Sequence, residues 1–270
     1  MHRAVSENKA ITSTPLSKES NIKKIAIYAT VLLVVFAAFL YLEINIYDTA
    51  AAFPAFAVFF ADRFMPPNFS AIPAATHLII QTLHFAVVGT GIASVLALIG
   101  GLLLSEKTNN IAWLRIAFRA FLSVLRNIPI LVWVTLLIFI FGIGSMVGLL
   151  AIIFATLGFL SRSYAESLSE VAGEKIEALR AVGATKAQII VHGILPEFVP
   201  AWINWTLFTF EINLRASAIL GMVGAGGIGL VISTHLRLFR YQSALSLIIV
   251  ITALILATEF ITNRLRRRVQ

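Results

Sequence analysis

EALRAVGATKAQIIVHGILP, Glu177 to Pro196, is the longest charged and amphipathic interruption in an otherwise apolar chain. Ile176, Leu179 and Val182 recur three apart and give one helix an apolar stripe, with Glu174, Glu177 and Arg180 on another face. Gly183 then offers the left-handed conformation that commonly ends a helix. Thr185 followed by Gln188 fits a capping box, so a second helix is predicted to start there and to stop or kink at Pro196. A short helix-turn-helix of this kind, held between membrane spans, presents a water-facing knob to something outside the bilayer.

The composition on either side requires such a membrane. The chain has 270 residues, of which 59% are hydrophobic and 13% charged, and its mean hydropathy is +0.91. A soluble domain is about half apolar and a quarter charged, so the fold class is all-α integral membrane protein. No cysteine is present, which excludes disulfides, thiolate chemistry and thiolate metal sites. The net charge of +8 gathers at the N-terminal end and after the last apolar run, flanking spans. That pattern reads as cytoplasmic anchoring and not as nucleic-acid binding.

About six spans are expected. A polar segment, 1–24, precedes an apolar run from Ile25 to Leu42, read as a retained first span and not a signal peptide. Between Glu43 and His77, Phe53, Phe56, Phe60 and Phe64 share a helical face and suggest a helix in the outer interface, ended by Pro66-Pro67. Leu78 to Leu104 is span two, with His84 read as a bundle-facing hydrogen-bonding residue. Lys107, Arg115, Arg119 and Arg126 mark the cytoplasmic side.

Asn127 to Ser161 is uncharged and as one helix would be roughly 50 Å long, too much for one crossing. Gly142 to Ser145 divides it into spans three and four, each extending past the run, with a kink at Pro129 near the inner end of span three. Span five runs from about Glu197 to Gly221, and Tyr241 to Thr258 is span six. Arg264, Arg266, Arg267 and Arg268 follow as a basic cytoplasmic tail, 263–270. The transmembrane body is thus 25–262, with the amphipathic loop at about 168–196. An even count places both basic termini on one side, the cytoplasmic one. Arg237 and Arg240 lie in the outer loop before span six, either as interface anchors or as contacts for a negatively charged partner or substrate.

Two stretches carry candidate chemistry. Glu211 and Arg215 stand four apart in span five, near Asn213, where charge is costly, and are expected to pair. The pair lines a path, or couples its gate to the amphipathic loop, or fixes helix packing. Next comes GMVGAGGIG, in which Gly224, Gly226 and Gly229 match G-x-G-x-x-G, with Gly227 among them. No strand precedes this stretch, so dinucleotide binding is excluded. Two readings remain: non-helical backbone lining a cavity, whose amides could meet an oxyanion, or close helix packing through small residues. No P-loop and no catalytic constellation of a membrane enzyme is present.

The docking stretch resembles the EAA loop of ABC-importer permeases: Glu-Ala-Ala, three residues, Gly, nine residues, Ile, one residue, Leu-Pro. Glu177, Ala178, Gly183, Leu195 and Pro196 match, while Leu179 replaces the second Ala and Gly193 the Ile. FEINLRASAILGMVGAGGIG and the outer segment Phe59-Phe60 through Ser70 are similar to permease subunits of phosphonate importers, a group that includes phosphite and hypophosphite systems. The likeness runs from about Phe53 onward.

It implies a homodimer embedded in lipid in the inner membrane, with one path between the copies. ATPase subunits would dock on the loop, and an extracytoplasmic solute-binding protein would deliver the cargo. ATP and Mg would be bound by the ATPase, with no cofactor in this chain. Glu211, Asn213, Arg215, Gly224, Gly226, Gly227 and Gly229 are the expected path or gate residues. A methionine-type permease is the alternative within the superfamily. A secondary transporter would want paired broken helices, and only one glycine-rich break is visible.

Overall fold

A computed structural model describes residues 16–43, 45–171 and 174–269. Most of the polar N-terminal segment and the side chain of Glu174 lie outside what is described. Contacts divide the chain into two units, Met1–Asp62 and Arg63–Gln270. The first holds α1 (Leu16–Tyr41) and nearly all of α2 (Ile46–Phe64). On α2 the rings of Phe56 and Phe60 stand 6.1 Å apart, on one face as their spacing predicts.

The second unit is a helical bundle. Its elements are α3 (Ile72–Leu104), α4 (Ala112–Asn127), α5 (Ile130–Phe141), α6 (Ser145–Val171), α7 (Glu174–Ala181) and α8 (Lys186–Gln188), then α9 (Leu195–Leu220), α10 (Ile228–Arg237) and α11 (Tyr241–Val269). Among the described residues five helical runs are long and apolar enough to cross a membrane, and the bent pair α4–α5 makes up to six. The core forms where α3, α6 and α9 meet. There Gly89 faces Ile152, Gly101 faces Tyr164 and Gly158 faces the backbone of Leu122 and Arg126, each too close for an added Cβ. Small residues let membrane helices approach where hydrophobic burial gives little drive between them.

Three expectations are corrected. Span three is not one kinked helix: α4 and α5 meet at 91°. Proline restricts the residue before it, and Ile128 is extended (φ −80°, ψ 118°), so the helix ends and restarts. The turn after α5 stands as expected, with Gly142 at φ +77° and α6 starting at Ser145. Secondly, His84 is exposed on α3 and does not face the bundle.

Pro196, thirdly, ends nothing. One helical run extends from Lys186 to Ala225. A π-helical segment, Ile189–Ile194, widens the backbone just ahead of the proline, with the Leu195 amide donating to the Ile190 carbonyl. Pro196 then falls in the first turn of α9, where its missing N–H matters least.

Candidate functional site

The docking loop forms as its residues dictate. The Gly183 amide donates to the Arg180 carbonyl (3.0 Å) and the Ala184 amide to the Leu179 carbonyl (3.0 Å), with Gly183 at φ +80°. These bonds make a Schellman turn. Thr185 and Gln188 close a full capping box, the Thr185 amide donating to Gln188 Oε1 at 2.8 Å. Ile176, Ile189 and Ile194 are buried with Leu160, Tyr164, Leu168 and Phe198, which joins the loop to α6 and α9 in one apolar cluster. Val182, expected on the buried stripe, is 80% exposed because the helix has already ended beside it. Glu177, Ala178, Gly183 and Pro196 are exposed, and Leu195 is half-buried.

Gly193 and Leu179 explain each other. A Cβ on Gly193 would lie 2.7 Å from Leu179 Cδ1. Leu179 on α7 thus occupies room that a side chain at position 193 would need.

Glu211 and Arg215 do not pair with each other. Glu211 bonds Arg266 at 2.6 Å and also accepts from the Thr262 hydroxyl, while Arg215 pairs with Glu259 at 2.9 Å. Both partners lie on α11, so the charges on α9 fasten two helices together. The inner pair is the better shielded, with side chains 11% (Glu211) and 21% (Arg266) exposed. Asn213 is 3% exposed and does not face a path. Its amide nitrogen donates to Thr90 (2.8 Å) and Thr156 (2.9 Å), tying α9 to α3 and α6.

The glycine stretch follows α9 directly and breaks the helix inside the bundle. Backbone at Gly224 (φ +104°), Gly226 (φ +87°) and Gly227 (φ +77°) leaves the helix, and α10 resumes at Ile228. The Gly227 amide donates to Gln81 Oε1 (2.9 Å) and the Ile228 amide to Thr82 Oγ1 (2.8 Å). These two amides are thus satisfied within the fold and are not open to an oxyanion. Gln81 lies roughly 14 Å along α3 from Ile72, which sets the depth of the break. Close packing is also present: a Cβ on Gly229 would collide with the Ala218 carbonyl, and one on Gly221 with the Gly226 carbonyl. The stretch is thus both non-helical and closely packed, and these two amides are taken up by α3.

Two polar clusters had no mark in the sequence. Gln81 also donates to Ser145 Oγ (2.6 Å), so one side chain touches both the glycine break and the start of α6. Deeper, Ser94, Tyr164 and Thr206 bond one another at 2.7 to 3.0 Å, and Trp202 donates to Ser94 at 2.8 Å. Isolated hydroxyls in three distant spans give no pattern before the helices are packed.

A bundle of long apolar helices with an amphipathic elbow packed against its base fits a membrane-embedded subunit. The chain belongs to the family of binding-protein-dependent transport system inner membrane components, matched over residues 97–270. It is 32% identical over 207 residues to the phosphite transport system permease protein PtxC of Stutzerimonas stutzeri, covering 77% of this chain and 75% of that one. It is 31% identical to the phosphate-import permease protein PhnE of Mycolicibacterium smegmatis, over 86% of this chain but 44% of the longer relative. In fold it is similar to a chain of the inward-facing MetNI methionine ABC transporter, with a TM-score of 0.65 and 24% identity, over 73% of this chain and 96% of that one. This is a multi-pass inner-membrane permease of the ABC-transporter type.

Proposed function

We propose that this permease carries phosphonate or a phosphite-like oxyanion inward, working as a homodimer with the path between its two copies. Separate ATPase subunits bind ATP and Mg and dock on Glu177, Ala178, Gly183, Leu195 and Pro196, and a solute-binding protein delivers cargo on the opposite face. Both termini then lie in the cytoplasm. The substrate class is supported by relatives named for phosphite and phosphonate transport at 32% and 35% identity.

The observation that carries the coupling is the single helical run from Lys186 to Ala225. One end sits in the docking loop and the other enters the glycine break. Movement of the loop by ATP-driven closure therefore reaches the break along α9. Gly224, Gly226, Gly227 and Gly229 form the hinge of the gate. Glu211 and Arg215 keep α11 moving with α9, and Asn213 holds the rod to α3 and α6. ATP selects between two states of this assembly by binding one better than the other.

The test is uptake by the permease reconstituted with its ATPase and binding protein, using labelled phosphite, methylphosphonate and methionine. Uptake of the phosphorus oxyanions and not of methionine, dependent on ATP, is expected. Transport by the permease alone overturns the proposal.

A further inference from the structure

The helix α4 has three faces. At 100° per residue, Arg115, Arg119 and Arg126 align within roughly 40° of one another. Leu122 and Leu125 are buried against α3 and α6 in a cluster with Leu104 and Ala165. The remaining face is apolar yet open, with Trp113 71% and Ile116 68% exposed and Phe121 and Val124 beside them. Beside the arginine row is a cavity of about 610 Å³, lined by Lys107, Arg119, Arg126, Arg162, Glu166 and Glu170 among others. Arg162 is paired with Glu166 at 2.8 Å and Arg115 with Glu106 at 3.5 Å. Glu106 lines the cavity as well, so its wall carries four cations and three carboxylates, and among the described residues Lys107, Arg119 and Arg126 have no ion pair of their own.

Depth completes the picture. Leu122 touches α3 at Gly100, roughly 42 Å along that helix from Ile72. A bilayer with its headgroups is about 40–45 Å thick, so α4 lies at the far interface, the end of the bundle that carries the docking loop. α4 meets α5 at 91°, so where α5 crosses the bilayer α4 runs along its plane.

We infer that α4 is a membrane-surface helix, its Trp113–Val124 face set among acyl chains, and that Lys107, Arg119 and Arg126 hold the phosphodiester of an anionic phospholipid in the adjoining cavity. Basic side chains at a leaflet surface attract such headgroups. An exposed apolar stripe continuous with the cations suits a lipid, which supplies both chemistries, better than a free oxyanion.

The absence of cysteine lets Ile116→Cys carry a single nitroxide in the full-length protein. In vesicles of phosphatidylethanolamine and phosphatidylglycerol, the label should collide with oxygen far more than with a water-soluble nickel chelate. Preference for nickel overturns the placement, and so does shielding from both reagents, which would mean that protein covers the face. Native mass spectrometry of the purified protein should show phosphatidylglycerol retained, with binding at least about tenfold weaker in the Arg119→Gln/Arg126→Gln variant. Arg264→Gln, an exposed charge on α11, should leave retention unchanged. Equal retention in the double variant, or displacement of the lipid by millimolar inorganic phosphate, overturns the lipid assignment.

Discussion

Gly193 and Leu179 show how far one residue's meaning depends on another. Taken separately, each breaks the loop pattern of the family. Together they fill one volume, Leu179 Cδ1 occupying the space a side chain at 193 would need. Gly193→Ile should therefore cost about 1–3 kcal/mol by overpacking, and adding Leu179→Ala should recover most of it. Thermal unfolding of the single and double variants in detergent checks this, and strict additivity would show that the two sites do not share space. The α9 charges make a second case. Glu211→Lys should lower the yield of folded protein by setting like charges together on Glu211's side of Arg266. Adding Arg266→Glu should restore it, whereas Arg215→Glu should not, since Arg215 belongs to Glu259. Folded yield by fluorescent size-exclusion chromatography separates these outcomes.

At the scale of elements, the loop and the glycine break owe their shapes to backbone conformations that only glycine takes without strain. Gly183 has φ +80° and open space where a Cβ would stand, so Gly183→Val strains the turn by about 1–2 kcal/mol without a clash. The variant should insert normally yet lose transport-coupled ATP hydrolysis, measured as substrate-stimulated ATPase activity in the assembled complex. Stimulation at the normal level would mean that the turn does not carry force. The α9–α10 crossing depends on contact and not on dihedral angle. Gly229→Ala drives a methyl group into the Ala218 carbonyl, whereas Gly91→Ala meets nothing within 4 Å. The first should lower the unfolding midpoint by several degrees and the second leave it unchanged or slightly raised.

For the whole molecule, the run from Lys186 to Ala225 joins the elbow to the glycine break, the two ends of the lever proposed above. Single cysteines test the arrangement directly. Val182→Cys, 80% exposed on the loop, should react with an impermeant maleimide only in inside-out vesicles and should crosslink to the ATPase. Phe239→Cys, 77% exposed in the turn between α10 and α11, should react only in right-side-out ones. Labelling of both from one side would remove the lever's mechanical meaning.

Much of what depends on neighbours along the chain was legible in the residues alone, although the 91° break at Pro129 and the continuation of the helix through Pro196 were not. Apolar run length marked the spans, Gly183 with Thr185 and Gln188 marked the elbow, and the glycine spacing marked the break, because each follows from local backbone chemistry and hydropathy. Partner choice across the bundle was not legible, and the packed helices settled it. Glu211 stands one turn from Arg215, yet α11 brings Arg266 and Glu259 nearer, and α3 supplies Gln81 and Thr82 to amides that looked free. Inside a membrane each polar group takes the partner that packing delivers, and packing joins residues far apart in the chain.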